Sequence, residues 1–315
     1  MFNFLSKLFP DWASFTDPAF RYEKSVNDPT LKETNRRHFL FSMTLMTILL
    51  FMNVILFSKL FAISSHYWTE TLWRSLYPST LIIQTLLILA AFYLASTGIT
   101  RARNNRTWDD LRVTEIGIKR FIQVQWTMTF YRLRYIIAYI LIVRIMLLMG
   151  VLYDITAFRG EFLANYTLSS EPSLDLFPGL LALICFMTAA FILPFVSLGL
   201  EAALGLMLSS RLASRTWRGI FLLSYILFRF LICVALVFTF ILQSQTQFSG
   251  FLLVPYGLFV DFGLSFMQID VAGNLWLSVP YSIFIGLIWL ILGAFLSISI
   301  EILLNLSIKN VEKND

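Results

Sequence analysis

Pro178 to Leu208 reads PGLLALICFMTAAFILPFVSLGLEAALGLML, and Glu201 is the single charged side chain in it. A helix rises ~1.5 Å per residue, so about 20 apolar residues cross a bilayer core of ~30 Å. This stretch is more than long enough, with length to spare for tilt or for extension past the membrane. Five further stretches meet the same criterion, at about 39–63, 78–100, 135–157, 219–243 and 280–308. Of the 315 residues, 58% are hydrophobic and 14% charged, and the mean hydropathy is +0.74. Such a composition excludes a soluble enzyme and predicts an all-α polytopic membrane protein of about six transmembrane helices.

The direction of threading follows from the basic residues, which are retained on the cytoplasmic face. Six Lys and Arg precede the first stretch, eight lie between Arg101 and Arg134, three (Arg211, Arg215, Arg218) follow the fourth and two (Lys309, Lys313) the sixth. The other gaps hold only Arg74 and Arg159. Both termini are therefore expected inside, in a plasma membrane, with membrane lipids as the surroundings. The net charge of +5 is not a nucleic-acid signature, because the basic residues flank apolar spans.

Outside the spans three regions stand out. Residues 1–38 mix apolar and polar residues around Pro10, Pro18 and Pro29 and read as an amphipathic, interfacial N-terminal region; a disordered lead is the alternative. The first span lies too far along the chain for a cleavable signal and is expected to stay. Residues 244–279 contain no Lys or Arg and are too apolar for a solvated loop. Broken by Gly250, Pro255, Gly257 and Gly273, they read as an outer re-entrant hairpin whose backbone must be satisfied by protein; two more full spans are the alternative. A short cytoplasmic tail, 309–315, closes the chain.

The inner segment R101-A-R-N-N-R-T-W-D-D-L-R-V-T-E-I-G-I-K-R-F-I-Q predicts a short helix on the inner membrane face, with Thr107 as N-cap and Asp109 and Asp110 at its positive end. It resembles the membrane subunits of ABC-2 type transporters. Their first intracellular loop commonly reads arginine and glutamate, then glycine-threonine-tryptophan-aspartate, then leucine, leucine, threonine, proline, leucine. The match is Arg106-Thr107-Trp108-Asp109, then Leu111 and Thr114. N27-D-P-T-L-K-E-T-N-R-R is similar to that family's entry motif, and L200-E-A-A-L-G-L-M-L-S-S-R-L-A-S-R-T-W to the small-residue stretch closing its fourth span. Six spans with a hairpin between the fifth and sixth is also the family's layout.

The resemblance implies a permease subunit for export, paired with a second copy or a homologue. Arg106, Thr107, Trp108, Asp109, Leu111 and Thr114 then form a coupling helix that docks on a separate cytoplasmic ABC ATPase. ATP and magnesium belong to that partner: this chain has no G-x-x-x-x-G-K-[S/T] loop, and no cofactor or metal of its own is expected. A membrane scaffold or accessory subunit is the alternative, and an intramembrane enzyme is disfavoured because no paired catalytic groups are visible.

Four charges stand out inside the spans, where each costs ~2.5–3.5 kcal/mol at a helix centre on insertion scales unless it is partnered. Arg144 and Arg229 are expected roughly 14–15 Å from the inner boundary, Glu201 and Glu301 roughly 10 Å, close enough for one charge-balanced network. Pro194 is expected to kink its span, and Gly199 and Gly205 to permit close helix packing. Cys185 and Cys233 lie within spans, and His38 and His66 at opposite boundaries, so neither pair suggests a disulfide or a metal site. With both cysteines replaced by alanine, a Thr107→Cys variant should resist a membrane-impermeant maleimide in sealed cells and react once the cells are opened. Labelling in sealed cells would reverse the orientation.

Overall fold

In a computed structural model of the chain, the described residues are 68–104, 117–157, 159–168, 173–212, 215–243, 253–264 and 283–313. They form helices α1 (Trp68–Asn104), α2 (Gly117–Ala157), α3 (Glu161–Leu168), α4 (Leu176–Arg211), α5 (Arg215–Gln243), α6 (Leu253–Tyr256) and α7 (Ile283–Lys313), with a π-helical turn at Gly257–Asp261. Five of them, α1, α2, α4, α5 and α7, are long and apolar enough to cross a membrane. The described part of the chain is thus all-helical, as composition requires. The N-terminal region, the first predicted span and residues 105–116 lie outside the described residues, as do 265–282.

The five helices alternate in direction. Gly98 and Gln125 meet at one end of α1 and α2, and Trp73 and Gly150 at the other, so these two run antiparallel. Gly286 faces Cys185 and Phe186, Gly293 faces Leu193 and Gly199 faces Ile300, a register that makes α4 and α7 parallel. At Gly205 an added Cβ would stand 2.5 Å from the Phe92 carbonyl and 3.0 Å from the Ala95 Cβ, so α1 and α4 touch backbone to backbone there. Gly199 and Gly205 therefore do permit close packing, the arrangement that membrane helices favour because lipid gives them no hydrophobic drive to associate. α4 is the centre of the bundle, with α1 and α7 along it and α2 on α1.

Helix ends depart from the sequence expectation. The second span, expected from Pro78, belongs to a helix beginning at Trp68, and the third, expected from Tyr135, to one beginning at Gly117. At 41 residues α2 is ~60 Å long, about twice the bilayer core. Its early half is amphipathic: Phe121 and Ile122 pack with Ile99, Leu206, Ile308 and Val311 in a cluster at the basic end of the bundle, while Lys119 is exposed. Charge interrupts the apolar run without interrupting the helix. Farther along, the Arg134 guanidinium lies over the rings of Tyr131 and Tyr135, at 4.0 and 4.7 Å from their centroids.

At the opposite end Arg159 and Gly160 adopt positive φ (51° and 90°) and turn the chain into α3. Leu163, Tyr166 and Thr167 of α3 are buried against the bundle. The turn after α6 ends in a second left-handed pair, Phe262 (φ 55°) and Gly263 (φ 85°). It closes around Trp289 of α7, which is fully buried and edge-on to Phe186 at 5.5 Å. A side-chain carbon at Gly257 or at Gly263 would overlap the Trp289 ring, so both positions must be glycine for the turn to seat. We expect Gly257→Ala to cost about 1–3 kcal/mol through overpacking, while Gly219→Ala, where nothing lies within 4 Å, is neutral. Thermal unfolding of the purified protein measures both.

Candidate functional site

Arg144 is only 1% exposed and lies at the middle of the bundle. Its Nε and Nη2 both donate to Gln84 Oε1 of α1, at 3.2 and 2.6 Å. Nη2 also donates to the Asp261 carbonyl at 2.9 Å, and Nη1 donates to the Ala190 carbonyl of α4. Ala190 stands four residues before Pro194. In a regular helix the amide at position 194 would occupy that carbonyl, but proline has no N–H. Arg144 supplies the missing donor, so the hydrogen bond that Pro194 removes from α4 is replaced from a neighbouring helix.

The same logic governs the turn at 257–261. Wider than an α-helix and ended by two positive-φ residues, it cannot return every carbonyl to its own backbone, and inside a bilayer none can be left bare. Three consecutive carbonyls are met by three side chains. Phe259 accepts from Arg229 Nη2 of α5 at 3.5 Å, Val260 from Gln84 Nε2 at 2.7 Å, and Asp261 from Arg144 Nη2. Gln84 thus uses both ends of its amide, accepting from Arg144 and donating to the turn. The buried Asp261 carboxyl lies within electrostatic reach of Arg144, and Tyr256 shares a 2.7 Å hydroxyl contact with Tyr77.

A second cluster joins the first through Arg229. Its Nε lies 3.5 Å from Glu201 Oε1, and its guanidinium carbon lies 5.1 Å from the centroid of the Phe259 ring. Tyr225, one turn before Arg229 on α5, donates to Glu201 Oε2 at 2.5 Å and stacks on Phe92 at 4.1 Å. Glu201 and Arg229 are 3% and 8% exposed, so this pair is genuinely withdrawn from solvent. Outside it, a cavity of about 330 Å³ opens between α1 and α5, walled by Leu81, Thr85, Cys233 and Val237 with Val260 at its base.

Of the intramembrane charges singled out by sequence, Arg144, Glu201 and Arg229 fall around this turn. Glu301 does not: it is exposed on α7, although its depth matches that of Glu201. The reason is azimuth, since Ile300, one position earlier, is the residue that meets Gly199 on α4. Arg229 pairs with Glu201, whereas Arg144 donates to an amide and to two backbone carbonyls, and the two arginines meet at the turn. The coupling residues Arg106, Thr107, Trp108, Asp109, Leu111 and Thr114 lie outside the described residues. Gln84, Tyr225 and Asp261 were not singled out by sequence. The one available signal was chemical: Gln84 is the lone amide of its span, and Tyr225 precedes Arg229 by one turn. Among the described residues no group of three His, Cys, Asp or Glu could hold a metal ion.

No family model, curated protein or solved structure matches the chain. Replacing Arg144 by Met keeps its bulk but leaves the Ala190 and Asp261 carbonyls without this donor. We expect a loss of about 3–5 kcal/mol, the range for removing one partner of a buried charged cluster. Arg144→Lys should recover only part of it, since an ammonium cannot reproduce the fork that reaches Gln84, Ala190 and Asp261 together. Unfolding of the reconstituted protein distinguishes the three.

Proposed function

We propose that the chain is the permease subunit of an ATP-driven ABC-2 type transporter that exports a hydrophobic or amphiphilic substrate. It acts in the plasma membrane with both termini cytoplasmic, together with a second permease copy or homologue and a separate ATPase. The observation that carries this reading is the ordered set of three family-like segments: Asn27–Arg37 before the first span, Arg106–Thr114 between the second and third, and Leu200–Trp217 at the end of the fourth. The chain from 244 to 279 is read as the outer re-entrant hairpin, and the turn fastened by Gln84, Arg144 and Arg229 lies within it.

The geometry suits a lever. Residues 105–116 connect the end of α1 to the start of α2, and those helix ends pack on one another through Gly98, Ile99, Ile122 and Gln125. α2 then runs unbroken from Gly117 to Arg144 and on to Ala157. A push by a closing ATPase on Thr107, Trp108 and Asp109 would reach Arg144 along one rigid helix, and from there the turn at 257–261. A two-state bundle biased in this way exchanges inward-open and outward-open forms. Apolar spans with few polar groups suit an apolar cargo better than an ion.

A scaffold or accessory subunit is the second reading. Its support is that Asn104 and Asn105 stand where the family usually has acidic residues, and Glu115-Ile116 where it has proline-leucine. Transport in vesicles containing the chain and an ABC ATPase from the same cell separates the two. Trp108→Ala and Asp109→Ala should abolish ATP-dependent uptake into inside-out vesicles without lowering the amount of inserted protein. Unchanged uptake, or no association with an ATPase, would favour the scaffold.

A further inference from the structure

α5 is fastened to the rest of the molecule unlike its neighbours. α4 buries residues on several sides along its whole length, whereas α5 offers the bundle mainly one stripe, Tyr225, Arg229 and Cys233, at successive i, i+4 positions. Phe221, Leu227, Phe228, Phe230 and Leu231 are exposed. In lipid such an apolar face has no tendency to press itself onto other helices, because the acyl chains are equally apolar. Among the described residues, α5 is held through this stripe and the partly buried Leu236 and Val237 beside it. At its lower part Cys233 packs with Tyr256 and Val260, and at its upper part the contacts are polar.

We propose that α5 is a movable helix, and that Glu201, Tyr225 and Arg229 are the latch fixing it to α4 and to the turn at 257–261. A single guanidinium serves both attachments: Nε faces Glu201 at 3.5 Å while Nη2 reaches the Phe259 carbonyl at 3.5 Å. Loss of the Glu201 charge removes the counter-ion of Arg229, and a guanidinium that leaves Glu201 also leaves Phe259. The two attachments release together. Val260 and Asp261 keep their donors on Gln84 and Arg144, so the turn shifts about its far end and stays seated. The space that grows is the cavity between α1 and α5, whose base is Val260. This device does not depend on whether an ATPase drives the protein.

The test uses the full chain in lipid nanodiscs with Cys185 and Cys233 replaced by alanine. Spin labels on Met149→Cys of α2 and Leu231→Cys of α5, both exposed, report the separation of the helices by pulsed electron resonance. The parent should give one narrow distance. Glu201→Gln should reduce that population and add a second, displaced one, and Tyr225→Phe should do so to a smaller extent. Glu301→Gln, on the exposed face of α7, should leave the parent distribution intact. Should Glu201→Gln not fold, Tyr225→Phe carries the test. Labels on Met149→Cys and Pro255→Cys should register a smaller shift of the turn in the same variants. Distributions identical to the parent in both latch variants would overturn the proposal, as would a change of equal size in Glu301→Gln. A displaced α5 with an unmoved turn would overturn the coupling.

Discussion

A backbone carbonyl inside a bilayer core must find a donor within the protein, because water is not there to supply one. Much of the polar chemistry in this bundle follows from that rule. Pro194 opens one vacancy at Ala190 and the turn at 257–261 opens three more, and all four lie within reach of Arg144, Gln84 and Arg229. The two arginines that seemed costly in the sequence are donors positioned at bare carbonyls of the backbone. Arginine suits the task better than lysine because its planar fork reaches several acceptors from one buried position.

The arrangement also orders the rest of the fold. With α4 lacking one backbone donor at Pro194 and bonded sideways there to α2, its contacts to α1 and α7 are set by small residues at Gly205 on one side and Gly286 and Gly293 on the other. Trp289 then fits between Gly257 and Gly263 and blocks the turn from moving toward α7. α5 is held differently, through a stripe that includes Tyr225 and Arg229, and like α7 it exposes much of its surface.

How much of this was legible in the sequence divides along physical lines. Apolar length announced the spans from Pro78 onward, because a run such as Pro178–Leu208 has no stable home in water. Helix ends were not announced. Lys119 and Arg120 interrupt the hydropathy of the third span yet sit within an unbroken helix whose apolar face is buried at Phe121 and Ile122. Depth along a helix was readable, whereas azimuth was not, so Glu301 was grouped with Glu201 although it faces away. The role of Gln84 was hidden for a different reason. Its acceptor is a main-chain oxygen 176 positions away, and a carbonyl leaves no mark on a sequence.

The bond between Arg144 and the carbonyl freed by Pro194 has a consequence for how such a chain can change over generations. Each residue answers a defect set by the other, so the two are epistatic, and the order of substitution matters. A lineage that loses the arginine first inherits an orphaned acceptor at Ala190. One that first exchanges the proline for a residue bearing an amide hydrogen restores the helix's own donor, and a later loss of the arginine then orphans the Asp261 carbonyl alone.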